Sequence, residues 1–361
     1  MNNLDRKYQE LLREILNVGY KKEDRTGTGT TSIFGTSLKH KMNDGFPILT
    51  TKKVYWKGIV HELIWFLRGD TNIKYLVDNN VNIWNGDAYK KYCQTIENAC
   101  KPGNEKILQE FSIYGFIGGN GKPHSLETFV NKIKGEKFDR FFTLKFGDLG
   151  PVYGKQWRNW TNYNSKKKVS HYDQIKDIIE RLKNNPDDRR MIVSAWNVSE
   201  IDEMTLPPCH YSFQVWTRKL TLQERIDFYS KKHSDYVMIP EEKFLDSHNI
   251  PKRAISLQWN QRSVDTFLGL PFNIASYGLL LTMIAKVVNM IPEELMFVGG
   301  DTHIYNNHYS QCIEQLSKDG YDLPTIKFAK ENYSSLEEFT FEDIVLENYK
   351  SEEAIKAPLS N

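Results

Sequence analysis

The sequence predicts an α+β fold. Some segments repeat their apolar residues with helical spacing and others alternate with period two, but the two kinds do not follow one another in regular strand–helix–strand order. Of the 361 residues, 40% are hydrophobic and 26% charged, an ordinary globular balance that supports one large core.

At the amino end, Leu4, Tyr8, Leu11, Leu12, Ile15 and Leu16 fall on one helical face, and Gly19 follows as a stop. TSIFGTSLKHKM (31–42), with Ile33, Phe34 and Ser37, alternates as a half-buried strand does. Trp56 to Phe66 reads as helix. So does the stretch marked by Tyr172, Ile175, Ile178, Ile179 and Leu182, which Asn-Asn-Pro ends. MIVSAW (191–196) and HYSFQVW (210–216) read as strands, the first too apolar to be an exposed edge. Phe272 to Asn289 is a long apolar helix with a central place. Residues 88–147 and 219–252 are rich in Lys, Glu, Gly and Asn with weaker periodicity, the texture of surface insertions on a single domain spanning 1–361.

Forty-eight basic against 46 acidic side chains give a net charge of +2, so no global field draws the chain to nucleic acid or an anionic membrane. The longest apolar stretch, near GLLLTMIA, is shorter than a membrane span, and the amino end lacks an uninterrupted apolar core; a soluble, cytoplasmic protein is expected. Cys93, Cys100, Cys209 and Cys312 show neither metal-ligand spacing nor a disulfide framework. Lys166 to Lys168 reads as a solvated turn without a partner.

Several motifs carry chemistry. DRTGTGT (24–30) suits a loop whose Arg25 meets a phosphate, or a plain glycine turn. PDDRR (186–190) offers Arg189 and Arg190 as a phosphate clamp or as partners of Asp187 and Asp188. PPCH places Cys209 at a strand entry, where Cys209 and His210 point to opposite faces. A direct Cys-His dyad is therefore disfavoured, and Arg25, Arg189, Arg190 and Arg262 become the candidates for stabilising a thiolate. QRSVDTFLGLPFNIASY (261–277) gathers Arg262, Ser263, Asp265 and Asn273 at the start of the long helix, groups suited to a phosphate and a uracil-like edge. GGDTHIYNNH (299–308) puts His303 and Tyr305 on one face, where they suit sugar hydroxyls or a packed His-Tyr pair.

Taken in order, DRTGTGT, HELIWFLRGDTNIKYL, GPVYGKQWR, DDRRMIVSAWN, PPCH, QRSVDTFLGLPFNIASY, GGDTHIY and AIKAP closely resemble the thymidylate synthase family over essentially the whole chain outside the two insertions. The resemblance implies a homodimer around a twisted mixed sheet, each site completed by the partner. It implies that Cys209 attacks carbon-6 of dUMP, that 5,10-methylenetetrahydrofolate donates both carbon and hydride, and that dTMP and dihydrofolate leave, with no metal required. Arg25, Arg262 and Ser263 match phosphate ligands, and Arg189 and Arg190 match the pair that reaches the partner's site. Asn273 matches the uracil reader and His303 and Tyr305 the ribose ligands. Glu62 matches the carboxylate that organises proton transfers, and Tyr153 the residue linked to proton removal at carbon-5. For the folate, Lys52, Ile83, Trp84, Asp265, Leu268, Gly269 and Phe272 fall on matching positions, and Asp265 is counted with the nucleotide ligands too.

The chain departs from the family pattern at Asn85 and Asp87 after Trp84, at Tyr55, and in its PLSN terminus. A site leakier to water would yield hydroxymethyl-dUMP, so a dUMP hydroxymethylase of the same fold is the alternative. From other classes, a Cys-dependent hydrolase rests on PPCH alone. A non-catalytic nucleotide-binding protein would need none of Cys209, Glu62 and Tyr153.

Overall fold

Period-two alternation in the middle of the chain becomes a sheet with one face built for burial. The computed structural model describes residues 1–119, 121–135, 139–163, 169–232 and 241–360. The run Lys166–Lys168 and the terminal Asn361 lie outside the described residues. Among the described residues the strands are β1 (Tyr20–Lys22), β2 (Thr30–Lys41), β3 (Trp160–Tyr163), β4 (Val169–Tyr172), β5 (Ile192–Ser194), β6 (His210–Lys219), β7 (Arg253–Asp265), β8 (Ile291–Tyr305), β9 (Thr325–Phe328) and β10 (Ile344–Glu347). The chain divides into two compact units, the first made of Met1–Tyr55, Gln174–Ser194 and Cys209–Ser360, the second of Trp56–Asp173 and Ala195–Pro208.

The first unit holds a six-stranded mixed sheet in the order β1-β2-β8-β7-β6-β5. Only β7 and β8 run parallel, and the helix Gly269–Val287 supplies the crossover that a parallel pair needs. In register across the sheet, Val193, Phe213, Trp259, Phe297 and Leu38 form one buried row, and Val215, Leu257, Leu295 and His40 form the next. The opposite face presents Ile192, Gln214, Gln258, Met296 and Lys39 in register, with Trp216 beyond them. Helix Gly269–Val287 packs on β7 and β8 and is buried on nearly every side, as an interior helix must be. By length and composition this helix is long and apolar enough to cross a membrane, which the stretch GLLLTMIA alone does not suggest; 78% of its most apolar stretch is buried within the protein, which marks it as a core helix instead. The opening helix Asn3–Val18 seats Leu4, Tyr8, Leu11, Leu12 and Ile15 against β2 and β8, with Leu16 only half-buried.

Two local expectations are corrected. β5 lies at the sheet edge despite its apolar sequence, because Met191 and Val193 turn inward while Ile192 is 51% exposed. Phe34 stands 88% exposed where a half-buried strand was expected, beside Gly35, whose positive φ of 82° interrupts the alternation.

In the second unit, helix Trp56–Leu67 is buried from Gly58 through Leu67. Residues 88–147 are more than surface decoration. Helices Asn85–Ala99, Leu126–Lys134 and Arg140–Phe146 enclose a core of Tyr92, Phe129, Phe142 and Phe146, with Tyr92 4.9 Å from Phe146 and 5.2 Å from Phe129 between ring centroids. In the first unit, 219–252 likewise builds a small core of Tyr229, Leu245 and Ile250, beneath which the buried Arg225 pairs with Asp246 at 2.6 Å.

Candidate active site

Cys209 sits immediately before β6, half-buried, and its carbonyl accepts the Arg262 backbone N–H at 2.8 Å. The β6–β7 register slips between His210 and Ser212, so the strand opens with a bulge beside the thiol. His210 is engaged elsewhere. Its Nδ1 is 2.8 Å from the Tyr277 hydroxyl, and Tyr277 in turn lies flat on Trp259 with centroids 5.1 Å apart. Although the His210 ring keeps some accessible edge, the protein packed around it pushes its pKa down to about 3. So weak a base cannot serve a neighbouring thiol at neutral pH.

The loop 24–30 is folded around Asp24, whose carboxylate accepts from the Thr26 and Gly29 amides at 2.9 and 2.7 Å and whose pKa is thereby lowered against the opposing cost of burial. Gly29 has a φ of 74°, and a Cβ there would collide with the Asn306 amide that donates to the Thr28 carbonyl. The result holds the loop against the end of β8 and leaves Arg25 exposed. His303 and Tyr305 do share one face, with ring centroids 5.0 Å apart, and His303 Nδ1 is 3.2 Å from Asp301. Burial, then the charges of Asp265, Asp24 and Cys209, push Tyr305 up to about 12, opposed by Arg25; it is a phenol at neutral pH and lies within electrostatic reach of all four.

Arg262 and Ser263 lie next to each other near the end of β7, the arginine exposed. Asp265 closes that strand, its Oδ1 accepting the Phe267 and Leu268 amides at 3.0 Å each. Leu268, Gly269, Phe272 and Asn273 follow, all half-buried. Asn273 is oriented by Gln261, a buried residue to which its motif alone assigns no role: Asn273 Nδ2 donates to Gln261 Oε1 at 3.0 Å, while Gln261 Nε2 donates to the Ser263 carbonyl at 3.0 Å. Asparagine beside glutamine in a strand-to-helix turn carries no local signal, since the two are 12 residues apart.

Arg189 and Arg190 are exposed on the turn before β5. Asp187 pairs with Arg253, and Asp188 pairs with Arg181 at 2.6 Å, so these carboxylates brace the turn through other arginines. Lys52 is buried rather than extended into solvent. Its ammonium donates to the Phe267 carbonyl and lies 3.5 Å over that ring, and burial takes its pKa down to about 8.

The second unit gathers Glu62, Trp84 and Tyr153. Glu62, on the buried helix Trp56–Leu67, accepts from Trp84 Nε1 at 2.8 Å. Trp84 packs between Trp65 and Tyr153, centroids 6.0 and 6.2 Å away, and Tyr153 lies 4.7 Å from Phe66. Burial in this aromatic surround pushes Glu62 up to about 7, with the Trp84 hydrogen bond pulling the other way. Gly154 lets helix Tyr153–Arg158 approach closely, since a Cβ there would stand 2.7 Å from the Asp70 carbonyl. Ile83 is half-buried beside Trp84. No group of three or more His, Cys, Asp or Glu side chains suited to a metal occurs among the described residues.

The sequence profile described as thymidylate synthase matches residues 6–361. Among similar proteins, a thymidylate synthase of Mycoplasma mobile is 44% identical over 353 residues, covering 98% of this chain and 99% of that one. A thymidylate synthase of Staphylococcus haemolyticus is 41% identical over 363 residues, covering 100% and 99%, and one of Phytoplasma mali is 40% identical, covering 95% and 96%. With a family match spanning residues 6–361 and relatives of 40–44% identity over nearly the whole chain, the chain belongs to the thymidylate synthase family.

Proposed function

We propose that this chain is a thymidylate synthase that converts dUMP to dTMP with 5,10-methylenetetrahydrofolate as co-substrate. The observation that carries the reading is the end-to-end likeness to proteins of that name, on a chain that presents Cys209 at a strand mouth with its histidine neighbour diverted to Tyr277.

Cys209 adds through Sγ to carbon-6 of the uracil, which opens the 5,6 double bond and makes carbon-5 nucleophilic. The phosphate binds Arg25, Arg262 and Ser263, and Arg189 and Arg190 reach the site of the partner subunit. Guanidiniums gathered on a dianion keep cationic charge near the thiol and favour its thiolate. Asn273, fixed by Gln261, reads the uracil edge, and His303 and Tyr305 hold the ribose hydroxyls. Asp265 is bound from one side by two backbone amides, which fits a pterin N–H donor at its other oxygen, and Leu268, Gly269 and Phe272 with Ile83 and Trp84 suit the ring systems. For Lys52 to meet the glutamyl tail, its ammonium would leave the Phe267 carbonyl. The folate, when bound, supplies one carbon and the hydride that reduces it. Glu62, near neutrality in its pKa, relays protons at the uracil and folate; Tyr153 assists loss of the carbon-5 proton, and elimination returns the Cys209 thiolate.

The open sheet face, with Trp216 56% exposed beside Ile192 and Met296, supports a homodimer formed through this face. One preparation tests the reading: dUMP and methylenetetrahydrofolate should yield dTMP and dihydrofolate in equal amounts, and sedimentation should give the mass of two chains. Tetrahydrofolate with hydroxymethyl-dUMP, or no product, would overturn the function, and a monomer would overturn the shared site.

A further inference from the structure

Asp301, His303 and Tyr305 alternate along β8, so period two puts all three on one face, and the reaction above uses only the last two. His303 Nδ1 lies 3.2 Å from Asp301 Oδ1 and 3.3 Å from the Asp301 backbone carbonyl. Both are acceptors, because the Asp301 carboxyl is kept ionised. Burial works against that ionisation, yet the Lys22 hydrogen bond, with His303 and Lys22 close by, holds the carboxyl below the usual carboxylate range. Lys22 comes from the edge strand β1, reaches past β2 and donates to Asp301 Oδ2 at 2.5 Å. Two acceptors facing Nδ1 leave it one role, that of donor. A neutral imidazole holds a single ring proton, so Nε2 carries a lone pair.

The outward ends of this set are open. Neither His303 Nε2 nor the Tyr305 hydroxyl has a hydrogen-bond partner among the described residues, and neither is sealed from solvent; 8% of the His303 side chain is accessible. Tyr305 keeps its phenolic proton at neutral pH and can donate it. The two rings stand at 82° with centroids 5.0 Å apart, which sets an acceptor beside a donor without pairing them to each other. A hydroxyl serves both at once, giving its proton to Nε2 and accepting from Tyr305. A deoxynucleoside 5′-monophosphate has one free sugar hydroxyl, at carbon-3′.

We propose that Asp301, braced by Lys22, is a positioning residue that fixes His303 as a hydrogen-bond acceptor, so that the site selects nucleotides whose 3′-hydroxyl donates. The proposal rests on His303 and Tyr305 meeting the sugar, and it adds the direction of each bond: sugar to His303, Tyr305 to sugar. A 3′-substituent of similar size that cannot donate leaves the Nε2 lone pair stripped of water and unserved, which costs more than a hydrogen bond merely not made.

Two measurements use the unaltered protein. Imidazole 15N spectra at about pH 8, above the ordinary histidine range, should show His303 with its proton on Nδ1, its signals assigned by their loss in His303→Gln. A proton on Nε2, or on both nitrogens, refutes the proposal. Calorimetry with dUMP and with its 3′-fluoro counterpart, in which fluorine replaces the hydroxyl and cannot donate, should find the fluoro nucleotide bound about 20-fold more weakly. Equal binding would overturn the proposal. Asp301→Ala removes the carboxylate that sets the ring proton: dUMP binding should weaken about tenfold while the fluoro nucleotide is unchanged, so discrimination falls to about twofold. Equal weakening of both nucleotides would mean that Asp301 only supports the strand, and the proposal falls. Should Asp301→Ala fail to fold, the two wild-type measurements still decide. If the wild-type protein does not bind dUMP at all, the reading of the site as a nucleotide pocket fails separately, while the spectra still decide the contact between Asp301 and His303.

Discussion

Around Cys209 the polar groups are braced by one another and by backbone amides while Arg25 and Arg262 stay exposed; around Glu62 a single carboxyl is shut among Trp65, Trp84, Tyr153 and Phe66. The first arrangement leaves cations exposed, so the phosphate and thiolate of the proposed reaction would meet guanidiniums already in place. The second suppresses charge, and burial lifts Glu62 to about 7, where it can hold or release a proton at little cost near neutral pH. His210 belongs to the first region yet obeys the second rule: burial keeps it neutral with a pKa of about 3, which removes it as a base and makes it a packing and hydrogen-bonding support for Tyr277. Proximity in sequence to a nucleophile thus says little about role. The surrounding dielectric and partners decide it.

The sharpest test of this contrast is removal of the proposed nucleophile from the charge-tolerant region. Cys209→Ser should lower turnover by about 10⁴-fold or more, because a serine hydroxyl there lacks a base to activate it. Binding of dUMP, measured by calorimetry, should survive within a few-fold, since the phosphate, ribose and uracil contacts are assigned to other residues. Turnover near the wild-type level would remove Cys209 from the mechanism.

Next in size is Glu62→Gln, which keeps shape and removes the proposed proton relay; turnover should fall by ~10²–10⁴. Stability gives an independent reading. A carboxyl whose folded pKa is raised from 4.5 to about 7 favours the folded state while protonated, so its contribution is fully present below pH 4.5 and is lost as pH rises through about 7. Relative to wild type, Glu62→Gln should therefore gain up to about 3 kcal/mol between pH ~4.5 and ~8, because the variant has no charge to bury. Thermal melts across that range check it. Parallel melting curves for the two proteins would mean that Glu62 is not held in a charge-suppressing site.

Legibility in the sequence follows the same division. Helical spacing was enough to place Leu4 through Ile15 on one buried face, and alternation along HYSFQVW was enough to mark β6. Contacts that span the chain were not legible: Tyr277 for His210 lies 67 residues away, and Pro358 for His308 lies 50 away. The core of Tyr92, Phe129, Phe142 and Phe146 was hidden because its aromatics come from several short helices separated by Lys- and Gly-rich turns, so no single window shows a clear period. β5 misled for a simpler reason. An apolar strand signals burial on two faces, but Ile192 is exposed on the open sheet face, for which the proposed dimer supplies the cover.

The smallest predicted effect probes how the charge-tolerant region fixes a neutral group. Asn273 can offer a uracil edge both an N–H and a carbonyl, and Gln261 orients the amide by accepting one Nδ2–H at 3.0 Å, which leaves the second N–H and the oxygen for a ligand. Gln261 is itself pinned by its bond to the Ser263 carbonyl and by Trp259 Nε1 at 3.4 Å, so the selection is made by buried partners rather than by the ligand. Gln261→Leu removes the selector and costs about 1–2 kcal/mol of dUMP affinity, roughly 5–30-fold, while the folate KM, set by other residues, changes far less. Titration calorimetry with dUMP and initial rates against folate measure both. If dUMP affinity is unchanged, Asn273 is oriented by the nucleotide alone, and preorganisation in this region reaches only the charged ligands.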